Sequence, residues 1–257
     1  MLFRSIGVIG KWHLGLHSSS NSDFHFHPLK QGFHYFYGLP LTNQNFCLFG
    51  GKHPKSLTSR GLTPAKILIA ASVVAITSFI GYFAAWLSKS TCALLLTTIL
   101  LLSITILRYD MMIARFNCFV MKNYETVEQP VILESLTARF TDEAVNFIRA
   151  NRDKPFLLYM SFAKVHTALF NTPAFVNHSV HGRYGDNVEE MDWSVGQIMA
   201  AVDKLGLREN TFVYFTSDNG PHLEEVSNTG EYHGGWNGIF KGGKTAKSED
   251  ISQKCTH

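Results

Sequence analysis

Two long stretches without a charged residue constrain this chain more than any other feature of its sequence. They cover residues 67–88 and 91–107, and only Lys89 and Ser90 separate them. A helix that crosses a bilayer needs about 20 apolar residues, with a usual range of roughly 17–25. Because the connection is too short for a folded element, the sequence predicts a helical membrane hairpin with both ends on one side. A pair of buried core helices is the alternative.

Charges around the hairpin leave its orientation open. Basic residues flank both of its ends, whereas Lys89 is alone at the tip; they are Lys52, Lys55, Arg60, Lys66, Arg108, Arg115 and Lys122. The positive-inside rule would place these ends, and the globular part, in the cytosol. Large translocated domains can override that bias.

Outside the hairpin, patterns typical of buried strands alternate with patterns typical of helices. Continuous apolar runs at residues 6–9, 156–162 and 211–215 predict strands, and amphipathic stripes over residues 134–151 and 186–205 predict helices. This alternation favours an α/β domain with a mostly parallel sheet.

Ionisable and polar residues follow each predicted strand. They are Lys11 and His13, then Lys164 and His166, then Asp218 and Asn219. In parallel sheets, ligands bind outside the carboxyl ends of the strands. Lysines neutralise a tetrahedral oxyanion, histidines pass protons to leaving groups, and carboxylate and amide oxygens suit Ca²⁺ or Mg²⁺. The set therefore fits hydrolysis of a sulfate or phosphate ester.

Other features predict no special chemistry. A net charge of +3 without a basic cluster argues against a nucleic-acid partner, and the four cysteines lack zinc spacing. We expect structural roles for several conspicuous residues, namely His25, His27 and His34 in an aromatic-rich loop, Trp12, and Glu189, Glu190 and Asp192 on a solvated helix face.

Five segments of the chain resemble motifs of the sulfatase family. They are GKWHLG at 10–15, KVHT at 164–167, YGDNVEEMD at 184–192, FTSDNG at 215–220 and NGIFKGGK at 237–244. The hairpin between the first two segments narrows the resemblance to the membrane-associated steryl and aryl sulfatases. The resemblance covers nearly the whole chain up to Lys244 and implies the alkaline phosphatase-like α/β fold.

The resemblance also implies roles for individual residues in hydrolysis of a sulfate ester of a phenol or sterol. Lys11 and Lys244 would contact the sulfate oxygens. His13 would assist the formylglycine hydrate that serves as the nucleophile in this family, and His166 would protonate the leaving alcohol.

Further expectations concern the metal, the covalent modifications and the location. By resemblance, Asp218 and Asn219 would be two of the Ca²⁺ ligands, and Cys47 and Cys118 would form a disulfide at the base of the hairpin. Asn177 begins a glycosylation sequon. These features imply a protein of the endoplasmic reticulum membrane with a lumenal globular part; whether it forms a homo-oligomer stays open.

The chain also departs from the family. None of its four cysteines lies in the Cys-x-Pro/Ala-Ser-Arg motif that yields formylglycine, the N-terminal aspartate pair is missing, and residues 245–257 diverge. We therefore expect a chain truncated at both ends, with sulfatase segments at 1–60 and 115–244 around the hairpin at 66–107, and with little or no activity as written. The alternatives are a non-catalytic membrane fragment that pairs with a full-length sulfatase, and a phosphate-ester hydrolase, for which no Ser or Thr nucleophile is evident.

Overall fold

The computed structural model describes residues 3–20, 22–41, 47, 64–226 and 230–239. It divides the chain into two compact units. One unit comprises Met1–Thr42 with Val120–His257, and the other comprises Asn43–Phe119.

The first unit contains a five-stranded mixed sheet in the order β4-β3-β2-β1-β5. The strands are β1 (Ser5–Lys11), β2 (Tyr35–Leu39), β3 (Val120–Lys122), β4 (Glu125–Glu128) and β5 (Phe156–Ser161). Strand β1 lies parallel to both β2 and β5, whereas β2–β3 and β3–β4 are antiparallel pairs. The prediction of a mostly parallel sheet is therefore only half correct, because two short strands joined by a two-residue turn extend it as an antiparallel hairpin.

Helix α3 (Leu136–Asn151) covers this sheet with its apolar stripe. The apolar residues of the stripe predicted over 134–151 include Leu136, Phe140, Ala144, Phe147 and Ile148, and these five are buried. On β1, a Cβ atom at Gly7 would lie 2.6 Å from the Phe147 ring, so the absent side chain lets the helix pack closely on the strand. A second helix, α4 (Gly182–Lys204), packs against α3.

The predicted strand at residues 211–215 does not form. These residues adopt no regular structure, and Phe212 and Tyr214 are 90% and 75% exposed. The continuous apolar run at 156–162 is typical of a central strand, but β5 lies at the sheet edge with Leu157 and Tyr159 partly exposed. Strand side chains point to the two faces of a sheet, so they are buried only where another element covers that face. No described residue pairs with the outer edge of β5.

The second unit contains two long apolar helices, α1 (Pro64–Phe83) and α2 (Lys89–Asn117). By length and composition alone, residues Ala65–Phe83 and Lys89–Ile106 could each cross a membrane, and few of their side chains are buried. The two helices pack on each other, and the Cys92 Sγ atom lies 3.4 Å from the Ser78 carbonyl oxygen. Helix α2 continues beyond the predicted end at residue 107.

Candidate active site

Strand β1 delivers the first two candidate residues at its carboxyl end. Lys11 is the last residue of the strand and is partly buried. His13 has a left-handed backbone conformation with φ of 58°, its side chain is exposed, and its N–H donates to the Pro40 carbonyl at 3.3 Å. The segment from Lys11 to His13 is thus held against the end of β2.

Trp12 anchors the loop between these two residues. Its indole N–H donates to the carbonyl oxygens of Gly15 and Phe26 at 3.0 and 2.9 Å, and its backbone N–H donates to the Leu39 carbonyl at 2.9 Å. The side chain is 9% exposed. The prediction that Trp12 is a structural residue is confirmed.

Strand β5 brings His166 to the same edge of the sheet. Gly10 of β1 is the parallel partner of Ser161 at the end of β5, so the chain leaves both strands at one edge. Lys11 and His13 follow Gly10, and His166 follows Ser161 in a loop where its side chain is partly buried. Parallel pairing therefore places these three candidates at a common strand-end edge.

Lys164, which lies in the same loop as His166, is buried and forms an ion pair. Its ammonium group lies 3.1 Å from Glu190 Oε2, donates to Asn187 Oδ1 at 2.9 Å, and also donates to the Phe170 carbonyl. Burial lowers the pKa of Lys164, and the Glu190 carboxylate opposes that shift. The expectation that Lys164 belongs to the ligand-binding set at the strand ends is therefore wrong, because the group is not available to a sulfate oxygen.

Side chains on one face of α4 form further hydrogen bonds with this loop. Both Glu190 carboxylate oxygens accept hydrogen bonds, one of them from Thr172 Oγ1 at 2.7 Å and the other from Thr172 N and Asn171 Nδ2 at 3.0 and 3.2 Å. Arg183 Nη2 donates to the Leu169 carbonyl at 3.0 Å. We call Lys164, Asn187 and Glu190, with the loop residues 169–172, the α4 clamp.

The α4 clamp was missed from the sequence. Glu190 was predicted to face solvent, but it is 0% exposed, whereas Asp192 is exposed as expected. One sequence pattern could have indicated the α4 clamp. Arg183, Asn187 and Glu190 lie four and three residues apart, which places them on one helix face. That spacing does not reveal that the partners come from a loop earlier in the chain.

Asp218 and Asn219 follow residues 211–215, which form no strand, and Asp218 is exposed. Their predicted place beside Lys11, His13 and His166 stays a prediction. Their oxygen atoms are suitable for Ca²⁺, which takes roughly six to eight oxygen ligands. Among the described residues, however, no group of three or more His, Cys, Asp or Glu side chains could hold a metal ion. The described residues do not fit the implied Ca²⁺, and no step of the reaction is assigned to it.

The remaining candidates lie elsewhere. Cys47 and Cys118 form a disulfide in the hairpin unit, with a Cα–Cα distance of 5.3 Å. Asn177 lies on an exposed turn before α4. Lys244 lies outside the described residues.

The predicted packing role of the loop histidines is clearest at His27, which is fully buried. Its Nδ1 atom accepts from the Leu29 N–H at 3.2 Å, so Nε2 carries the proton and donates to the Asn123 carbonyl at 2.9 Å. Burial lowers the pKa of His27. Both ring nitrogens are therefore used within the fold.

Comparison with known proteins identifies the family. The family model "Sulfatase" matches residues 5–252. Human steryl-sulfatase is 46% identical over 244 residues, which cover 93% of this chain and 41% of that protein. Human arylsulfatase H is 43% identical over 243 residues, covering 93% and 42% of the two chains. The chain thus spans about two fifths of the length of these relatives.

A solved structure agrees with these relatives on the fold. The PsFucS1 sulfatase from Pseudoalteromonas sp. aligns with a TM-score of 0.54 at 22% identity, covering 87% of this chain and 37% of that one. At this identity the likeness concerns the fold alone. Because the family match extends over most of its residues, the chain belongs to the sulfatase family.

Proposed function

We propose that this chain supplies the sulfate-binding and leaving-group side of a sulfatase active site. The observation that supports this proposal is the parallel pairing of β1 and β5, since Lys11 and His13 follow the paired Gly10 and His166 follows the paired Ser161. Relatives named steryl-sulfatase and arylsulfatase support a sulfate ester of a sterol or phenol as the ligand.

Each proposed residue has a distinct task. The Lys11 ammonium group, with Lys244 as a second cation, balances negative charge on the sulfate oxygens. In a site completed by a nucleophile, the His166 imidazole would give a proton to the ester oxygen as the alcohol leaves, which is general acid catalysis. His13 would orient the attacking group in such a site, and the α4 clamp holds the His166 loop in place.

We further propose that the chain binds a sulfate ester without turning it over. Attack on sulfur in this family needs the formylglycine made from a Cys-x-Pro/Ala-Ser-Arg motif, and none of the four cysteines has that context. Without an activated nucleophile, the covalent step has no starting group. Ligand binding and turnover are thus separable in this chain.

The proposal is tested with the whole chain in detergent and 4-nitrophenyl sulfate as ligand. We expect calorimetry to detect binding and absorbance to detect no nitrophenol release. Lys11→Met should abolish the binding, whereas Lys30→Met, which removes an exposed lysine of the same unit, should not. Equal binding by both variants would contradict the proposal, and tighter binding of 4-nitrophenyl phosphate would favour a phosphate-ester ligand.

We also propose that the hairpin of α1 and α2 spans the endoplasmic reticulum membrane, with the globular unit in the lumen. Exposed apolar side chains along both helices support contact with lipid, and exposed Phe83 and Trp86 near the tip suit a membrane interface. The disulfide between Cys47 and Cys118 is typical of an oxidising compartment. Charge alone favours the opposite orientation.

A second candidate function is a non-catalytic partner of a full-length sulfatase. It is favoured by the outer edge of β5, which no described residue pairs with, and by the exposed apolar residues at 212–215, since unpaired edges and apolar segments promote association. Co-purification of the tagged chain with a co-expressed full-length relative would support this function. Sedimentation of the chain as a free monomer in that mixture would contradict it.

A further inference from the structure

We propose that Asn177 carries an N-linked glycan on a turn that the fold builds around Asp186. Asn177, His178 and Ser179 form the acceptor triplet Asn-x-Ser, and the 257 residues contain no other Asn-x-Ser/Thr triplet. This inference rests on the lumenal placement proposed above and is independent of sulfatase chemistry.

A buried carboxylate fixes the backbone of the triplet. Asp186 is 1% exposed and accepts the backbone N–H groups of Asn177, His178 and Ser179 at 2.9, 2.9 and 2.7 Å. Asn177 has a φ of 57°, a left-handed conformation that asparagine adopts more readily than most residues. Backbone groups thus fix the turn to Asp186, and the side chains of the triplet take no part in these three hydrogen bonds.

The acceptor amide, in contrast, is exposed and uncommitted. Within the described part of the chain, the Asn177 side chain makes no hydrogen bond, whereas the amides of Asn171 and Asn187 are buried and bonded in the α4 clamp. The neighbouring Val180 is 95% exposed, so the surface beside the triplet is open. A bulky polar group fits at Asn177 without displacing a packed residue.

The chemistry needs only a lipid-linked saccharide diphosphate as donor. The bond between Asn177 Nδ2 and the anomeric carbon of the saccharide forms, and the bond from that carbon to the diphosphate oxygen breaks. One amide proton is released and no group is oxidised or reduced. The product places a hydrated saccharide beside the exposed Val180.

The test uses the whole chain synthesised in the presence of microsomal membranes and then treated with an endoglycosidase. We expect one discrete mass step that the endoglycosidase removes. Asn177→Gly should abolish the step while retaining the positive φ at no steric cost. Ser179→Ala should also abolish it, and Ser179→Thr, which preserves the triplet, should retain it.

On the same samples, added protease tests whether the globular unit lies inside the microsomes. This measurement distinguishes an unused acceptor from a globular unit that is not in the lumen. An unshifted chain that is protected would show that Asn177 is not used although it reaches the lumen. An unshifted chain that is degraded would overturn the inference through its topology. Neither readout depends on sulfate ester binding or turnover, so the proposed function stands or falls separately.

Discussion

At Gly10, strands β1 and β5 approach so closely that only a hydrogen atom fits. A Cβ atom there would lie 1.7 Å from the Ser161 carbonyl oxygen, and the residue has a φ of 119°. Because Lys11 is the next residue, this contact sets where the candidate cation leaves the sheet.

Gly10→Ala is therefore expected to destabilise the protein strongly. The unfavourable φ costs about 1–3 kcal/mol, and the clash with the neighbouring strand adds a similar amount. Gly32→Ala is the matched control, since Gly32 has a φ of 94° but no atom within 4 Å of the added Cβ. Urea unfolding should show a larger loss for Gly10→Ala, and equal losses would mean that the close strand contact is unimportant.

His27 predicts a pH dependence of stability. Its buried imidazole has a lowered pKa, whereas the unfolded imidazole titrates near 6.5 and binds a proton at about pH 5.5. The unfolded state then holds more protons, so the free energy of unfolding falls as the pH drops through about 6.5.

Replacing His27 should remove this part of the pH dependence. We expect the thermal midpoint of the unchanged protein to fall more between about pH 7.5 and 5.5 than that of His27→Phe, which retains an aromatic ring against Tyr124. Identical falls in the two proteins would rule out His27 as a source of the effect.

On the scale of elements, the α4 clamp joins a helix to the His166 loop through a fully buried ion pair. Removing one partner leaves an uncompensated charge, so Lys164→Met or Glu190→Gln should each cost about 3–5 kcal/mol of unfolding free energy. The double variant Lys164→Met/Glu190→Gln should cost less than the sum of the two single losses. Chemical denaturation measures all three.

The exposed pair Arg208–Asp203 provides the control for this experiment. Its side chains are 59% and 43% exposed, so Arg208→Ala should cost no more than about 1 kcal/mol. Additive losses at Lys164 and Glu190, or losses as small as that of the control, would show that the α4 clamp is not an energetic unit.

Elements with a strong local pattern could be predicted from the sequence. The apolar stripe of α3 is buried as its helical period predicts, and the apolar run of β1 is buried at Gly7, Val8 and Ile9. The apolar run at 211–215 has an equally good strand pattern, but it forms no strand and its residues 212–215 are exposed, because burial depends on elements distant in sequence. The prediction that Glu190 faces solvent was wrong for a different reason. The local pattern does not show the loop residues that pair with its buried carboxylate.

At the level of the whole molecule, the proposed membrane hairpin predicts how the chain associates with membranes. Ile76 is 59% exposed on α1, so Ile76→Lys would place a charge in lipid at a cost of about 2.5–3.5 kcal/mol. We expect alkaline carbonate to extract this variant from membranes but not the unchanged chain. The control variant is Ser88→Lys, which adds a charge at the tip beside Lys89 and should stay in the membrane. Extraction of the unchanged chain would contradict a hairpin that spans the membrane.

The sheet supports one part of the predicted candidate site. Lys11, His13 and His166 follow strands whose pairing places them at one edge, as strand-end reasoning expects. Asp218 and Asn219 depend on a strand that does not form.

A titration of the imidazole signals of the whole chain with 4-nitrophenyl sulfate, followed by NMR, tests the shared site most directly. If Lys11, His13 and His166 surround one sulfate ester, the His13 and His166 signals should shift together with a single dissociation constant. The His34 signal should not move, and Lys11→Met should abolish both shifts. Movement of only one of the two histidines, or two different dissociation constants, would contradict a common site at the carboxyl ends of β1 and β5.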